Sequence, residues 1–161
     1  MLTIGSFALA LFAVLGSVCW ACLQEKNPKG SREYILLIED EAQVAALTAE
    51  TLVGEGYRVI LVQNGFEALK IYRNIGKQIG LVILDFFLPV MDGDAVFYEL
   101  RVLNPEVDVV LSSGFAEQQK INAMLGQGVR GFISKPYSSQ ELLAQVRSAL
   151  DAGRQSLRPA S

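Results

Sequence analysis

The sequence predicts an α/β protein built on a doubly wound, five-stranded parallel sheet, preceded by one hydrophobic segment. Five short runs rich in Val, Ile and Leu recur along the chain, and segments with helical periodicity lie between them. The runs do not alternate between apolar and polar residues, which is typical of strands buried on both faces. Five alternations of strand and helix indicate a parallel sheet covered by helices on both sides.

The N-terminal segment Leu2–Leu23 contains no charged residue. Its length matches the roughly 20 apolar residues that a helix needs to span a bilayer. We therefore expect a transmembrane helix over residues 1–23 and a polar linker over residues 24–33. A cleaved signal peptide and a misplaced gene start are the alternatives, although Met1–Thr3 lacks the Lys or Arg of a signal peptide.

Basic residues follow this segment at Lys26, Lys29 and Arg32. The positive-inside rule then places the globular domain in the cytoplasm, attached to the inner (cytoplasmic) membrane. Cys19 and Cys22 have C-x-x-C spacing but lie within the apolar run, so we interpret them as membrane-embedded thiols rather than a redox or metal site.

The globular domain is predicted over residues 34–152, with a tail over residues 153–161 that is too short for an output domain. Its strands are predicted at Tyr34–Ile38, Val59–Val62, Leu81–Leu84, Val107–Leu111 and Gly131–Ile133. The second and fourth helices are predicted near 66–75 and 117–127. The apolar faces of the other three helices are predicted to consist of Val44, Leu47, Thr51 and Leu52; of Val96, Leu100 and Leu103; and of Leu142, Val146, Ala149 and Leu150.

Composition excludes several functions. The net charge is −3, and Lys and Arg do not cluster, so no nucleic-acid partner is expected. The chain has no His, which excludes His-based catalysis and His-type metal sites.

Polar residues end four of the predicted strands, and this is where open parallel sheets bind ligands. They are Glu39 and Asp40, Asp85, Ser112 and Ser113, and Lys135. Taken alone, Asp40 could be a helix N-cap and Lys135 a surface charge. Taken together, they predict a site for phosphate or metal chemistry.

Three neighbouring carboxylates cannot all stay ionised without a compensating charge. Mg²⁺ suits such an oxygen-rich site, where it often joins one or two carboxylates to a phosphate. Asp85 could then act as a nucleophile and form an acyl phosphate. Lys135 would supply positive charge, and Ser113 a hydroxyl donor, to the phosphoryl oxygens.

Four segments of the chain resemble the response-regulator receiver domains of two-component systems. They are Ile35–Glu41, Asp85–Gly93, Leu111–Phe115 and Phe132–Tyr137, and they occur in the family's order. The Ser113–Phe115 sequence is similar to that of receivers attached to hybrid sensor kinases. The resemblance implies a flavodoxin-like receiver fold with strand order 2-1-3-4-5.

The resemblance also implies roles for individual residues. Asp85 would be the phosphorylation site, and Mg²⁺ would be bound by Asp40, Asp85 and the backbone carbonyl of Phe87. Glu39 stands where the family more often has Asp, and it would bind the metal directly or through water. The switch and phosphoryl-binding residues would be Ser113, Lys135 and Phe132, the Lys135–Pro136 bond would be cis, and Phe87 and Phe115 would form a gate against hydrolytic water.

The implied function is a phosphoacceptor of a phosphorelay that catalyses only its own phosphorylation and dephosphorylation. Its partners would be a histidine kinase or a histidine phosphotransfer protein. A partner or dimer face is expected on the fourth helix, fifth strand and fifth helix, including Lys120, Met124 and Tyr137.

Four other functions stay open. The chain could be a membrane-tethered phosphate sink, a fragment of a split hybrid histidine kinase, a non-phosphorylated interaction module or a metal-dependent phosphohydrolase. The last would normally need a carboxylate two residues after the nucleophile, where Phe87 stands.

Overall fold

The computed structural model describes residues 34–114 and 118–156. Its strands are β1 Tyr34–Ile38, β2 Arg58–Val62, β3 Ile79–Asp85, β4 Val109–Ser113 and β5 Gly131–Ser134. Its helices are α1 Ala42–Gly54, α2 Gly65–Ile75, α3 Gly93–Leu103, α4 Gln118–Gly126 and α5 Ser139–Ser156, with a 3₁₀ turn at Gly76–Gln78. The predicted alternation of strands and helices is confirmed.

The five strands form one parallel sheet in the order β2-β1-β3-β4-β5, as the resemblance implied. The central strand β3 is buried along its whole length, which is why its sequence is almost wholly apolar up to Asp85. The topological switch point of this strand order lies between β1 and β3. The carboxyl ends of these two strands therefore flank a crevice at the edge of the sheet.

Each face of the sheet has its own hydrophobic cluster. One cluster joins the sheet to α2, α3 and α4 through residues such as Leu69, Phe97 and Met124. The other joins it to α1 and α5 through residues such as Leu52 and Val146. We call these two sides of the sheet the α2–α4 face and the α1/α5 face.

The predicted inward face of α1 is wrong for three of its four residues. Leu52 is buried, but Leu47 is 67% exposed, and Val44 and Thr51 are only partly buried. The residues that α1 buries are Ala45, Thr48, Ala49 and Leu52. The small side chains among them let the helix lie close to the sheet, and Val44 and Leu47 on the neighbouring stripe are turned away from it.

The predictions for α3 and α5 are mostly confirmed. In α3, Val96 and Leu100 are buried as expected, whereas Leu103 is 39% exposed and Phe97 takes its place in the core. In α5, the predicted residues Leu142, Val146 and Ala149 are buried and Leu150 is partly buried.

The predicted transmembrane segment 1–23 and linker 24–33 lie outside the described residues, as does the end of the tail. Within 34–114 and 118–156, none of the helices has both the length and the apolar character needed to cross a membrane.

Candidate functional site

Three carboxylates meet at the carboxyl edge of the sheet, where β1 and β3 end side by side. Glu39 and Asp40 follow β1, and Asp85 is the last residue of β3. Parallel pairing of Ile38 with Leu84 brings the two strand ends level with each other. One oxygen from each of these carboxylates lies within 4.8 Å of the others.

Lys135 binds two of the three carboxylates. Its Nζ lies 2.6 Å from Glu39 Oε2 and 2.7 Å from Asp85 Oδ2. The other Asp85 oxygen, Oδ1, accepts a hydrogen bond of 3.1 Å from the backbone N–H of Phe87. Lys135 directly follows β5. Its backbone N–H donates a hydrogen bond to the carbonyl of Ser113, the last residue of β4, and this bond fixes the position of Lys135 beside the carboxylates.

Burial makes this a strongly interacting set of charges. Glu39 is 2% exposed and Asp85 is 6% exposed. Burial raises the pKa of Glu39 to about 7. The hydrogen bond from Lys135 lowers this pKa, whereas the negative charge of Asp85 raises it further. Burial alone would lower the pKa of Lys135, but its hydrogen bonds to Asp85 and Glu39 outweigh that effect and raise it.

The donor set fits a hard divalent cation. Glu39, Asp40 and Asp85 offer only carboxylate oxygens, which Mg²⁺ and Ca²⁺ prefer. Asp40 is exposed, whereas Glu39 and Asp85 are buried, so the cluster opens to solvent on one side. Since Lys135 contacts the two buried carboxylates, it neutralises part of the charge that a cation would otherwise meet.

The loop that follows Asp85 folds back under the site. Gly93 begins α3, and its N–H donates to the carbonyl of Phe86 at 2.9 Å. A Cβ at Gly93 would lie 2.6 Å from the carbonyl oxygen of Asp85, so no larger residue fits without moving the backbone that holds the acceptor. Within the same loop, Val90 has a positive φ of 71° and is fully exposed.

The predicted switch residues lie on β4 and β5. Ser113 ends β4 and is buried. Phe132 pairs with Leu111 and packs partly buried against the core of the α2–α4 face. The Lys135–Pro136 peptide bond is cis, as the resemblance implied. The switching roles of these residues stay predictions.

The predicted water gate is described only in part. Phe87 is 47% exposed, and its ring packs edge-on against that of Phe86 with centroids 5.1 Å apart. It stands beside Asp85 and lines the groove next to it. Phe115 lies outside the described residues.

The expected partner face on α4, β5 and α5 needs correction in one residue, Met124. Met124 is 3% exposed and belongs to the core, so it cannot contact a partner. Tyr137 packs on the α1/α5 face, where its hydroxyl lies 2.8 Å from Thr48 Oγ1 of α1. Lys120 is exposed on α4, as such a face would require.

Sequence reasoning missed two features beside the site. A groove of about 800 Å³ runs from Asp85 along α1, and the outward-turned Val44 and Leu47 line it. Ser112, which pairs with Asp85 across the sheet, has a buried hydroxyl without a hydrogen-bond partner in the described part of the chain. The pair of serines at the end of β4 was visible in the sequence, but their different environments were not.

Fold and site together define a doubly wound α/β domain with an acidic cluster and a lysine at the carboxyl edge of its sheet. The family model for the response regulator receiver domain matches residues 35–147. The chain belongs to the response-regulator receiver domain family, whose members bind Mg²⁺ at an acidic pocket and are phosphorylated.

Several curated proteins are similar to this chain. The sensor kinase CckA of Brucella abortus is 32% identical over 117 residues, which are 73% of this chain and 12% of that protein. The probable transcriptional regulator ycf27 of Porphyra purpurea is 34% identical over 122 residues, which are 76% of this chain and 49% of that protein. The chain thus spans half or less of these relatives.

Solved structures agree with the fold. A CheY-like receiver domain protein from Methanospirillum hungatei superposes with a TM-score of 0.72 at 25% identity, covering 78% of this chain and 99% of that one. The receiver domain of NtrX from Brucella abortus gives a TM-score of 0.68 at 28% identity, covering 73% and 98%.

Proposed function

We propose that the protein is a phosphoacceptor whose Asp85 takes a phosphoryl group from a histidine kinase or a histidine phosphotransfer protein, with Mg²⁺ as cofactor. The observation that carries this proposal is the arrangement of Asp85 between a lysine and an acidic cluster. Asp85 is held by Lys135 on one oxygen and by the Phe87 N–H on the other. The acceptor carboxylate is therefore oriented before a donor arrives.

The charges of the site match the needs of phosphoryl transfer. Such transfer depends mainly on positioning and on neutralising the phosphoryl oxygens. Lys135 supplies one positive charge at hydrogen-bond distance from Asp85. When bound by Glu39, Asp40, Asp85 and the Phe87 carbonyl, Mg²⁺ would neutralise further charge on the same oxygens. Ser113, at the end of the neighbouring strand, would donate its hydroxyl to one of them.

The groove beside Asp85 supports a protein donor. It exposes the apolar side chains of Val44, Leu47 and Phe87 next to the acceptor, and large apolar side chains in a solvent-open groove are typical of surfaces that bind another protein. A phosphohistidine carried on a helix or loop would reach Asp85 from this side.

Phosphorylation would act on a partner through Ser113 and Phe132. Drawing Ser113 toward the phosphoryl group would free space for Phe132, which is only partly buried. The surface of α4, β5 and α5 would then change as a two-state element. In this proposal the protein turns over no other substrate.

The match to a sensor kinase supports an alternative function. In that alternative, the chain is a receiver that works with, or was separated from, a hybrid histidine kinase.

The expected membrane attachment through residues 1–23 is a separate part of the proposal, with the receiver domain facing the cytoplasm. Its support is the uncharged segment followed by basic residues. The full chain should sediment with membranes and resist extraction by high salt. Recovery in the soluble fraction would contradict the attachment without affecting the role of Asp85.

The phosphoacceptor role is tested by incubating the full chain with Mg²⁺ and acetyl phosphate and measuring its intact mass. We expect one added phosphoryl group, which Asp85→Asn abolishes. Asp92→Asn and Asp94→Asn are matched controls, because these residues follow Asp85 closely but lie at the start of α3. Labelling that survives Asp85→Asn overturns the assignment.

A further inference from the structure

Ser112 is a buried residue whose hydroxyl makes no hydrogen bond to the residues that the structure describes. Its exposure is 1%, and its Oγ is inaccessible to solvent. Burying a hydroxyl without a partner is unfavourable, and an alanine of nearly the same size would avoid that cost. Buried polar groups of this kind are rare in native proteins and call for an explanation.

Its position in the sheet places Ser112 beside the phosphoacceptor. β3 and β4 pair in parallel with Asp85 opposite Ser112. Paired residues of neighbouring strands lie about 4.8 Å apart and project their side chains to the same face. Two residues earlier, Ile83 and Val110 pair in the same way, and both pack on the α1/α5 face. By alternation, the side chains of Asp85 and Ser112 also start on that face.

Apolar side chains account for most of the surroundings of Ser112 on this face. Ile133 is its partner on β5, and Val110 precedes it by two residues on β4. By strand register, the adjacent polar positions on this face are Asp85, which pairs with Ser112, and Lys135, two residues after Ile133. Lys135 and Asp85 are bonded to each other. Both oxygens of Asp85 accept a hydrogen bond from another donor. In the unphosphorylated protein, the Ser112 hydroxyl has no acceptor within hydrogen-bond distance among the described residues.

A phosphoryl group on Asp85 changes this balance. It adds three strong acceptor oxygens to a residue that now has two. The described donors in contact with Asp85 are Lys135 and the Phe87 N–H, so new acceptor positions arise beside an unused donor.

We propose that the hydroxyl of Ser112 donates a hydrogen bond to the acyl phosphate of Asp85, and that this bond exists only in the phosphorylated state. The proposal rests on the proposed function, since it requires phosphorylation of Asp85. Ser112 keeps its proton and forms no covalent bond. It is a donor separate from Ser113, which is the next residue and alternates to the opposite face of β4. Because the hydroxyl has no partner among the described residues in the resting state, gaining this bond favours phosphorylation.

This role predicts opposite effects of Ser112→Ala on the two states. The unphosphorylated variant loses no hydrogen bond to residues 34–114 or 118–156, so its Tm stays the same or rises. The phosphorylated state loses a hydrogen bond to a charged group, which corresponds to about tenfold weaker binding of a phosphoryl analogue.

The test measures the affinity of the full chain for beryllofluoride in the presence of Mg²⁺ by calorimetry, together with the Tm of the protein without it. Beryllofluoride serves as a stable analogue of the phosphoryl group. Tyr72→Phe is the control, because it removes a buried hydroxyl that accepts a 3.0 Å hydrogen bond from Asn104 on the other face of the sheet. This control should lower the Tm and leave the affinity for beryllofluoride unchanged.

The expected result is a Ser112→Ala protein with unreduced Tm and about tenfold weaker beryllofluoride binding. If this variant does not fold, Ser112→Cys, which keeps the volume but donates weakly, should also bind more weakly than the wild type. Affinity within twofold of the wild type overturns the proposal, and so does a drop in Tm as large as that of Tyr72→Phe. Failure of the wild type itself to bind beryllofluoride would instead overturn the phosphoacceptor function, and the role of Ser112 with it.

Discussion

Lys135→Met tests whether the ammonium group of Lys135 holds the acidic cluster together. The substitution keeps much of the side-chain length but removes the charge that contacts Glu39 at 2.6 Å and Asp85 at 2.7 Å. Both carboxylates are almost fully buried, so they cannot recover the lost interaction from water. The two carboxylates would then face each other without a compensating cation.

The loss of stability in Lys135→Met can be worked out from the distance between the Glu39 and Asp85 carboxylates. At 4.8 Å or less, two carboxylates repel by at least about 3.5 kcal/mol at an effective dielectric constant of about 20. Breaking a buried ion pair on one side costs about 3–5 kcal/mol in other proteins. Glu39 can limit the loss by taking a proton, because its pKa is already raised to about 7. We therefore expect a decrease of about 3 kcal/mol in the free energy of unfolding at pH 7.5.

Urea unfolding of the full chain, followed by circular dichroism, measures this loss with and without Mg²⁺. In EDTA the midpoint of Lys135→Met should fall well below that of the wild type, and Mg²⁺ should restore a large part of the difference by replacing the lost charge. Lys70→Met is the control on exposed α2 surface and should change the stability by less than about 0.5 kcal/mol. Equal midpoints for Lys135→Met and the wild type, with no effect of Mg²⁺, would refute the reasoning.

Ser113→Ala should permit phosphorylation of Asp85 but reduce the movement of Phe132, which NMR spectra of the phosphorylated proteins would detect. Phe87→Asn should shorten the lifetime of the phosphorylated form, by at most roughly 10²–10⁴-fold, because an amide can orient the attacking water; the decay after removal of acetyl phosphate measures this. Mg²⁺ affinity should weaken as the pH falls through about 7, because Glu39 must be ionised to bind a cation and burial raises its pKa. Glu39→Gln should remove most of that pH dependence.

Each of these three predictions would be contradicted by a specific result. A phosphorylated Ser113→Ala protein with the wild-type spectrum would show that this hydroxyl does not drive the switch. Equal decay of phosphorylated Phe87→Asn and wild type would mean that the ring does not control water. A Mg²⁺ affinity that is constant between pH 6 and 8 would show that Glu39 is not the titrating ligand.

The sequence predicted the sheet well because its strands are buried on both faces. An uninterrupted apolar run such as Leu81–Leu84 has few other stable environments in a domain of this size. The site could be located for a related reason: the strands are parallel and of similar length, so Glu39, Asp85 and Lys135, which follow three of them, had to meet at one edge.

The packing of α1 could not be predicted in the same way. Helical periodicity selects the stripe with the largest apolar side chains, which is the one that includes Val44 and Leu47. The sheet instead receives the neighbouring stripe of Ala45, Thr48 and Ala49, because small residues allow close approach. The Thr48–Tyr137 contact joins residues 89 positions apart, and it forms only because the stripe that contains Thr48 faces the sheet. It therefore could not be predicted from the sequence either.

The identity of the phosphorylated residue is the central claim, and borohydride reduction tests it most directly. Borohydride reduces an acyl phosphate of aspartate to homoserine, which marks the residue that carried the phosphoryl group. The full chain is phosphorylated with acetyl phosphate and Mg²⁺, reduced, digested and analysed by mass spectrometry. Homoserine at position 85 alone is the predicted result. Homoserine at Asp40, Asp92 or Asp94, or an unreduced phosphate on Ser113, would contradict the account.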